Sequence, residues 1–297
     1  MSILFAVSAA GQTKEKSVVP SEPCTASSGL HCEIYGKGDP ILCLHGLGAS
    51  TYSWRELKEP LSQEHQVILI DFRGFGASPK PQDKHYSIQE HADLIYQFIL
   101  EHDLKNLTLM GNSFGGAVSL LVAIRLCEQD RGRFSKLILI DSGGYKKHFP
   151  SYLKLLRTPV LGWLGIHLMS SKAAARMVLK KSYYDRRKIT KDQITEYAKP
   201  IGEKGGRHAL LETAKQIVPP RINEIIAKYR KISVPTLILW GDHDRVIPLE
   251  IGEMLDEAIP DSRLKLIEQT GHVPQEETPD KIIPLILNFL RSRGSHN

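Results

Sequence analysis

Ser113 sits in Gly111-Asn112-Ser113-Phe114-Gly115-Gly116, between an apolar run at 107–110 and an Ala-, Leu- and Val-rich run at 114–127. Gly-x-Ser-x-Gly between a strand and a helix is the arrangement of a nucleophile elbow. A tight turn holds the serine in strained backbone, and the helix that follows points N–H groups at developing negative charge. Side chains at 111 and 115 would strike neighbouring backbone. The plainer reading is a glycine-rich turn with an incidental serine. No lysine follows the glycines, which excludes a phosphate-binding Walker loop.

A serine hydroxyl is a weak nucleophile at neutral pH and needs a base beside it. His272, in Gly271-His272-Val273-Pro274, follows the last apolar strand of the chain. An imidazole base in turn needs a carboxylate to fix its tautomer and stabilise its charged form. Trp240-Gly-Asp-His-Asp-Arg-Val-Ile-Pro248 follows another strand and offers Asp242 and Asp244. Serine, acid and histidine in that order, each after a predicted strand, are the parts of an acyl-transfer site. The oxyanion formed in such a reaction needs backbone donors. Phe114 N–H supplies one, and the loop His45-Gly46-Leu47-Gly48 supplies the other at Leu47. His45 itself reads as a brace for that loop.

These residues need a scaffold that gathers strand ends. Short strand runs fall at 30–35, 40–44, 66–71, 107–110, 136–140, 235–240 and 263–267. Helical periodicity marks 53–62, 88–104, 114–127, 249–258 and 280–291. Such alternation predicts a parallel sheet covered on both faces, with ligands bound at the carboxyl ends of its strands. Residues 145–220 break the alternation. They predict helices at 150–156, 172–181, 191–198 and 206–217, a helical cap inserted between two strands. The core then comprises 29–144 and 221–297. Residues 1–28, rich in Ser, Pro and Glu, read as poorly ordered.

The 297-residue chain has the composition of an ordinary globular protein, which excludes collagen, coiled coil and intrinsic disorder. No apolar stretch is long enough to span a membrane. A net charge of +6 without zinc-finger, basic-zipper or RNP-like patterns gives no nucleic-acid partner. Cys24, Cys32, Cys43 and Cys127 form no C-x-x-C pair, so no metal cluster is expected. They read as free thiols, which suits a reducing, cytoplasmic setting. Export is the alternative, from the apolar run Ile3–Val7. That run is short for a signal peptide, and the first basic residue, Lys14, comes after it.

HGLGAS at 45–50, DFRGFGAS at 71–78, GNSFGG at 111–116, GDHDRVIP at 241–248 and GHVPQEETP at 271–279 together resemble the α/β-hydrolase superfamily, over about residues 30–292. The resemblance implies an eight-stranded, mostly parallel sheet with a helical cap after the sixth strand. It implies a triad of Ser113, Asp244 and His272, because the family's acid is the fourth residue of Gly-x-x-Asp. Asp141, after the sixth strand, stands where some members place the acid instead. No cofactor is implied.

Departures from subfamily patterns narrow the reaction. Haloalkane dehalogenases and epoxide hydrolases of this fold use an aspartate where Ser113 stands. GNSFGG is similar to the GNSMGG of meta-cleavage carbon–carbon hydrolases. Their HGxGPG loop is absent, and their tryptophan after the histidine is Val273 here. A serine carboxylesterase acting on a small-molecule ester is therefore the leading expectation. A carbon–carbon hydrolase and a slowly turning-over small-molecule receptor are the alternatives. Residues 146–191 carry twelve Lys or Arg against the single acid Asp185, net +11, around the apolar run 159–169. A solvated cap whose apolar residues roof the pocket accounts for this pattern. Contact with an anionic membrane surface, or with an acidic, acyl-chain substrate, is the less favoured alternative.

Overall fold

The computed structural model describes residues 22–25, 27–146 and 151–292. Its strands are β1 (Glu22–Thr25), β2 (His31–Tyr35), β3 (Pro40–Leu44), β4 (Gln66–Ile70), β5 (Leu107–Asn112), β6 (Phe134–Ile140), β7 (Thr236–Gly241) and β8 (Ser262–Ile267). They form one eight-stranded sheet in the order β1-β2-β4-β3-β5-β6-β7-β8. β3 to β8 run parallel, and β1 and β2 are antiparallel additions at one edge. β3, β5 and β7 are buried along their whole length, as strands covered on both faces must be.

Alternation within the strands divides the core in two. Leu42, Leu44, Ile68 and Ile70 face α2 (Ile88–Glu101), α3 (Phe114–Gln129) and α10 (Leu249–Ala258). Ile41, Cys43, Val67 and Leu69 face α1 (Arg55–Ser62) and α12 (Pro279–Arg291). A Ser87–Glu90 capping box starts α2. α1 follows a 3₁₀ turn at Thr51–Trp54, so the helix expected at 53–62 is shorter than its periodicity suggested.

Between β6 and β7 lie α4 (Ser151–Leu156), α5 (Pro159–Leu168), α6 (Ser171–Ser182), α7 (Lys191–Gly202), α8 (Gly206–Gln216) and α9 (Ile222–Ile226). α5 was not expected, because Pro159, Gly162 and Gly165 read as punctuation. Pro159 occupies the first helical turn, where its missing N–H costs nothing, and Gly162 is buried against the rest of the cap. A short α11 (Pro274–Glu277) follows the last strand.

Two expectations need correction at the amino terminus. Most of the segment 1–28 lies outside the described residues, but Glu22–Thr25 is an ordered strand paired with His31–Ile34. Cys24 and Cys32, opposite one another in that pairing, form a disulfide. They are therefore not free thiols; Cys43 and Cys127 are. Spacing gave no hint of the bridge, since a hairpin register and not a motif sets Cα atoms 5.4 Å apart. The cysteine argument for a reducing compartment falls with it. Among the described residues no helix is long and apolar enough to cross a membrane.

Candidate active site

Ser113 stands between β5 and α3 with φ 55° and ψ −113°, a left-handed conformation that a serine adopts only when its surroundings impose it. Those surroundings are identifiable. Ser113 N–H donates to Ile140 O at 3.0 Å, and Ser113 O accepts from Gly143 N–H at 2.9 Å. A Cβ on Gly115 would lie 2.0 Å from Leu44 O, and one on Gly111 would lie 2.4 Å from Gly115 O. Only glycine lets the turn pack this closely onto β3.

His272 and Asp244 are brought into direct contact. His272 Nδ1 lies 2.7 Å from Asp244 Oδ2, and both side chains are buried. A carboxylate only accepts, so Nδ1 carries the proton and Nε2 keeps its lone pair for work as a base. The other oxygen of Asp244 accepts from Val246 N–H at 2.6 Å and Ile247 N–H at 3.1 Å, which fixes the carboxylate plane. Asp242, the rival acid of the sequence, turns to His243 at 2.6 Å and to Thr270 N–H at 3.1 Å.

The backbone of His272 is held from two sides. Its N–H donates to Ser182 O, at the end of α6, at 2.6 Å. Its carbonyl accepts from Asn112 Nδ2 at 3.1 Å, and Asn112 also donates to Ile140 O. The residue before Ser113 thus ties the elbow to the histidine loop. Among the described residues no hydrogen bond joins the Ser113 hydroxyl to the His272 ring; the two border one cavity. Nucleophile–base contacts in unliganded sites are often long and tighten on binding.

That cavity encloses about 1200 Å³ including its open mouth. Leu47 and Phe114 border it beside Ser113 and His272, and Leu153, Val178 and Leu179 of the cap close it from above. Gly46 brings the Leu47 loop against the elbow: a Cβ there would lie 3.5 Å from Ser113 Cβ. His45 spends both ring nitrogens on backbone, Nδ1 on Gly46 O at 2.8 Å and Nε2 on Phe72 N–H at 3.2 Å. Burial pushes its pKa down, so it braces this loop as a neutral ring. Asp71 likewise serves backbone, accepting from Thr51 and Ala77 N–H at 2.7 Å each.

Asp141 does not take the acid's place beside the histidine; it stands behind the acid. Asp141, Asp244 and His272 each put one oxygen or nitrogen within 4.8 Å of the others. Asp141 Oδ1 accepts from Gly241 N–H at 3.0 Å, and its fully buried Oδ2 has no partner by ordinary geometry. Burial, and after it the charge of Asp244, raise its pKa well above the ordinary carboxylate value, which favours its protonated form. The three groups resemble cation ligands in position, but His272 Nδ1 and Asp244 Oδ2 are spent on each other.

Two further residues escaped the sequence reading. Glu277 accepts from Gly271 N–H at 2.8 Å and from Tyr184 and Asp185 N–H at 3.1 and 2.7 Å. Glu276, fully buried, pairs with Arg55 at 2.6 Å and accepts from the Tyr197 hydroxyl. Both carboxylates fasten the cap to the histidine loop. Their only trace in the sequence is their place in GHVPQEETP.

Comparison with known proteins agrees with this architecture. The α/β hydrolase fold family matches residues 39–279. Lipase 3 of a Moraxella species is 30% identical over 249 residues, 81% of this chain and 73% of its own. The 2-hydroxy-6-oxo-2,4-heptadienoate hydrolase of Pseudomonas putida is 29% identical over 262 residues, 86% and 90% of the two chains. A solved α/β-hydrolase-fold protein from Burkholderia ambifaria superposes with a TM-score of 0.77 at 23% identity, over 87% of this chain and 93% of its own. The chain belongs to the α/β-hydrolase family and is a hydrolase of that fold.

Proposed function

We propose that this hydrolase cleaves carboxylic esters through an acyl-enzyme on Ser113. The observation that carries the reading is the buried His272–Asp244 pair, whose imidazole borders, together with Ser113, a cavity with largely apolar walls. His272 Nε2 takes the Ser113 proton as the oxygen attacks the ester carbonyl, and the C=O electron pair moves onto oxygen. Backbone N–H groups of Leu47 and Phe114 hold that oxyanion, with the α3 N-terminus adding a favourable field. Collapse breaks the C–O bond, and His272 protonates the departing alkoxide. Water, deprotonated by the same ring, then releases the acid and regenerates Ser113. The Moraxella lipase is a relative whose name fits this chemistry.

Carbon–carbon hydrolysis is the second reading, supported by the likeness to the Pseudomonas putida enzyme and by GNSFGG. A heptadienoate substrate carries a carboxylate. No Lys or Arg lines this cavity among the described residues, whose polar groups are Asn112, Ser113, Ser182, His272 and three tyrosines. A neutral acyl chain suits it better.

A p-nitrophenyl ester series tests the proposal. Rising acyl length should raise kcat/KM about fourfold per methylene, the equivalent of about 0.8 kcal/mol each, until the cavity is filled. Ser113→Ala should lower kcat/KM by at least about a thousandfold while leaving circular dichroism and Tm unchanged. Undiminished turnover in that variant refutes the assignment.

A further inference from the structure

α5 is a ten-residue helix without a charged side chain. Gly162 and Ile166 face the protein. The outward side presents Val160, Leu161, Trp163 and Leu168, which are 68%, 58%, 54% and 82% exposed. None of these lines the cavity, so a roofing role does not account for them. The cavity is closed by the inner faces of α4 and α6, which flank α5 in the chain.

The stretch of chain that holds this helix is strongly basic, although Glu203 and Glu212 of the neighbouring cap border Trp163 and His167. Segment 146–191 is net +11, and the rest of the chain is net −5. α6 starts three residues after Leu168 and carries Lys172, Arg176 and Lys180 exposed, with Met177 exposed among them. None of the three cations has an acidic partner among the described residues. Apolar side chains including a tryptophan, set among unneutralised lysines and arginines, are the elements of an interfacial anchor.

We propose that the outer face of α5 and α6 docks on an anionic phospholipid bilayer. Leu161, Trp163 and Leu168 enter the headgroup–acyl boundary, and Lys172, Arg176 and Lys180 meet the lipid phosphates. A second copy of this chain is the poorer occupant, because a two-fold contact through this face would set Lys172, Arg176 and Lys180 against their own counterparts. The docking is independent of the ester reading: flotation and tryptophan emission read it without turnover, and ester hydrolysis enters only as a control that the double variant keeps its fold.

The protein's tryptophans make the readout specific: Trp54 and Trp240 are fully buried, and Trp163 is exposed. Full-length protein is mixed at low salt with vesicles of phosphatidylcholine, with or without about one quarter phosphatidylglycerol. Co-flotation should be at least about tenfold greater on the anionic vesicles, with a blue shift of tryptophan emission. Both should vanish in about 1 M NaCl, where the Debye length is about 3 Å. Leu161→Glu with Leu168→Glu should abolish binding while hydrolysis of soluble p-nitrophenyl acetate stays as in wild type. Equal binding to both vesicle types, no emission shift, or undiminished binding of the double variant overturns the proposal. So does light scattering that finds a dimer in wild type and a monomer in the double variant, which would make the face a self-interface.

Discussion

Asp141 and Asp244 face each other across the ends of β6 and β7, and two carboxylates so close and so buried do not both ionise. Asp141 keeps the proton because Asp244 has the imidazole and two backbone N–H groups to stabilise its charge. Asp141→Asn should therefore behave as a permanent copy of the neutral acid, with an amide that donates toward Asp244 and an oxygen for Gly241 N–H. The sign of the stability effect follows from linkage. A raised folded pKa contributes stability that is complete below the unfolded value of about 3.9 and is lost as pH rises. The asparagine removes that loss. Its Tm advantage over wild type should grow as pH rises past about 4, with kcat/KM kept within about tenfold. A Tm deficit that widens with pH contradicts a protonated Asp141. In the sequence Asp141 was legible only as a rival for the acid. Its actual relation depends on the Gly241 contact, which no local pattern encodes.

At the scale of elements, the cap and the histidine loop are one mechanical unit. Ser182 O, Glu276 and Glu277 join α6, α7 and α11, and a Cβ on Gly271 would lie 2.1 Å from Ser182 O. Glu276→Ala leaves the Arg55 guanidinium without its buried partner, a loss of about 3 kcal/mol. Urea midpoints should record it, and KM for long acyl esters should rise more than kcat falls, because the cap walls loosen before the triad does. Arg55→Met with Glu276→Met should recover most of the stability. An unchanged midpoint for Glu276→Ala shows that the pair carries no structural weight. The strands and core helices were readable from apolar periodicity and from the glycines that end them. α5 was not, because glycine and proline in sequence do not reveal that one faces a neighbour and the other opens the helix. β1 was not, because its pairing and disulfide are decided by a hairpin.

For the whole molecule, the sheet brings two distant parts of the chain to one cavity: Ser113 follows its fifth strand and His272 its eighth. The motifs could be ordered along the sequence because each sits just past an apolar run, where a parallel sheet collects its ligands. Substrate was not legible in the same way, since the cavity wall draws on the Leu47 loop, the elbow, the cap and the histidine loop, and its shape belongs to no single segment. The uneven charge, basic in the cap segment and acidic elsewhere, was by contrast legible in the sequence. The proposed nucleophile is one oxygen atom, and a fluorophosphonate probe reports on it. Peptide mass spectrometry after labelling should find one adduct, on Ser113, formed in wild type and suppressed in His272→Ala. An adduct on another residue, or full esterase activity after exhaustive treatment with Ser113 unlabelled, rules out Ser113 as the nucleophile.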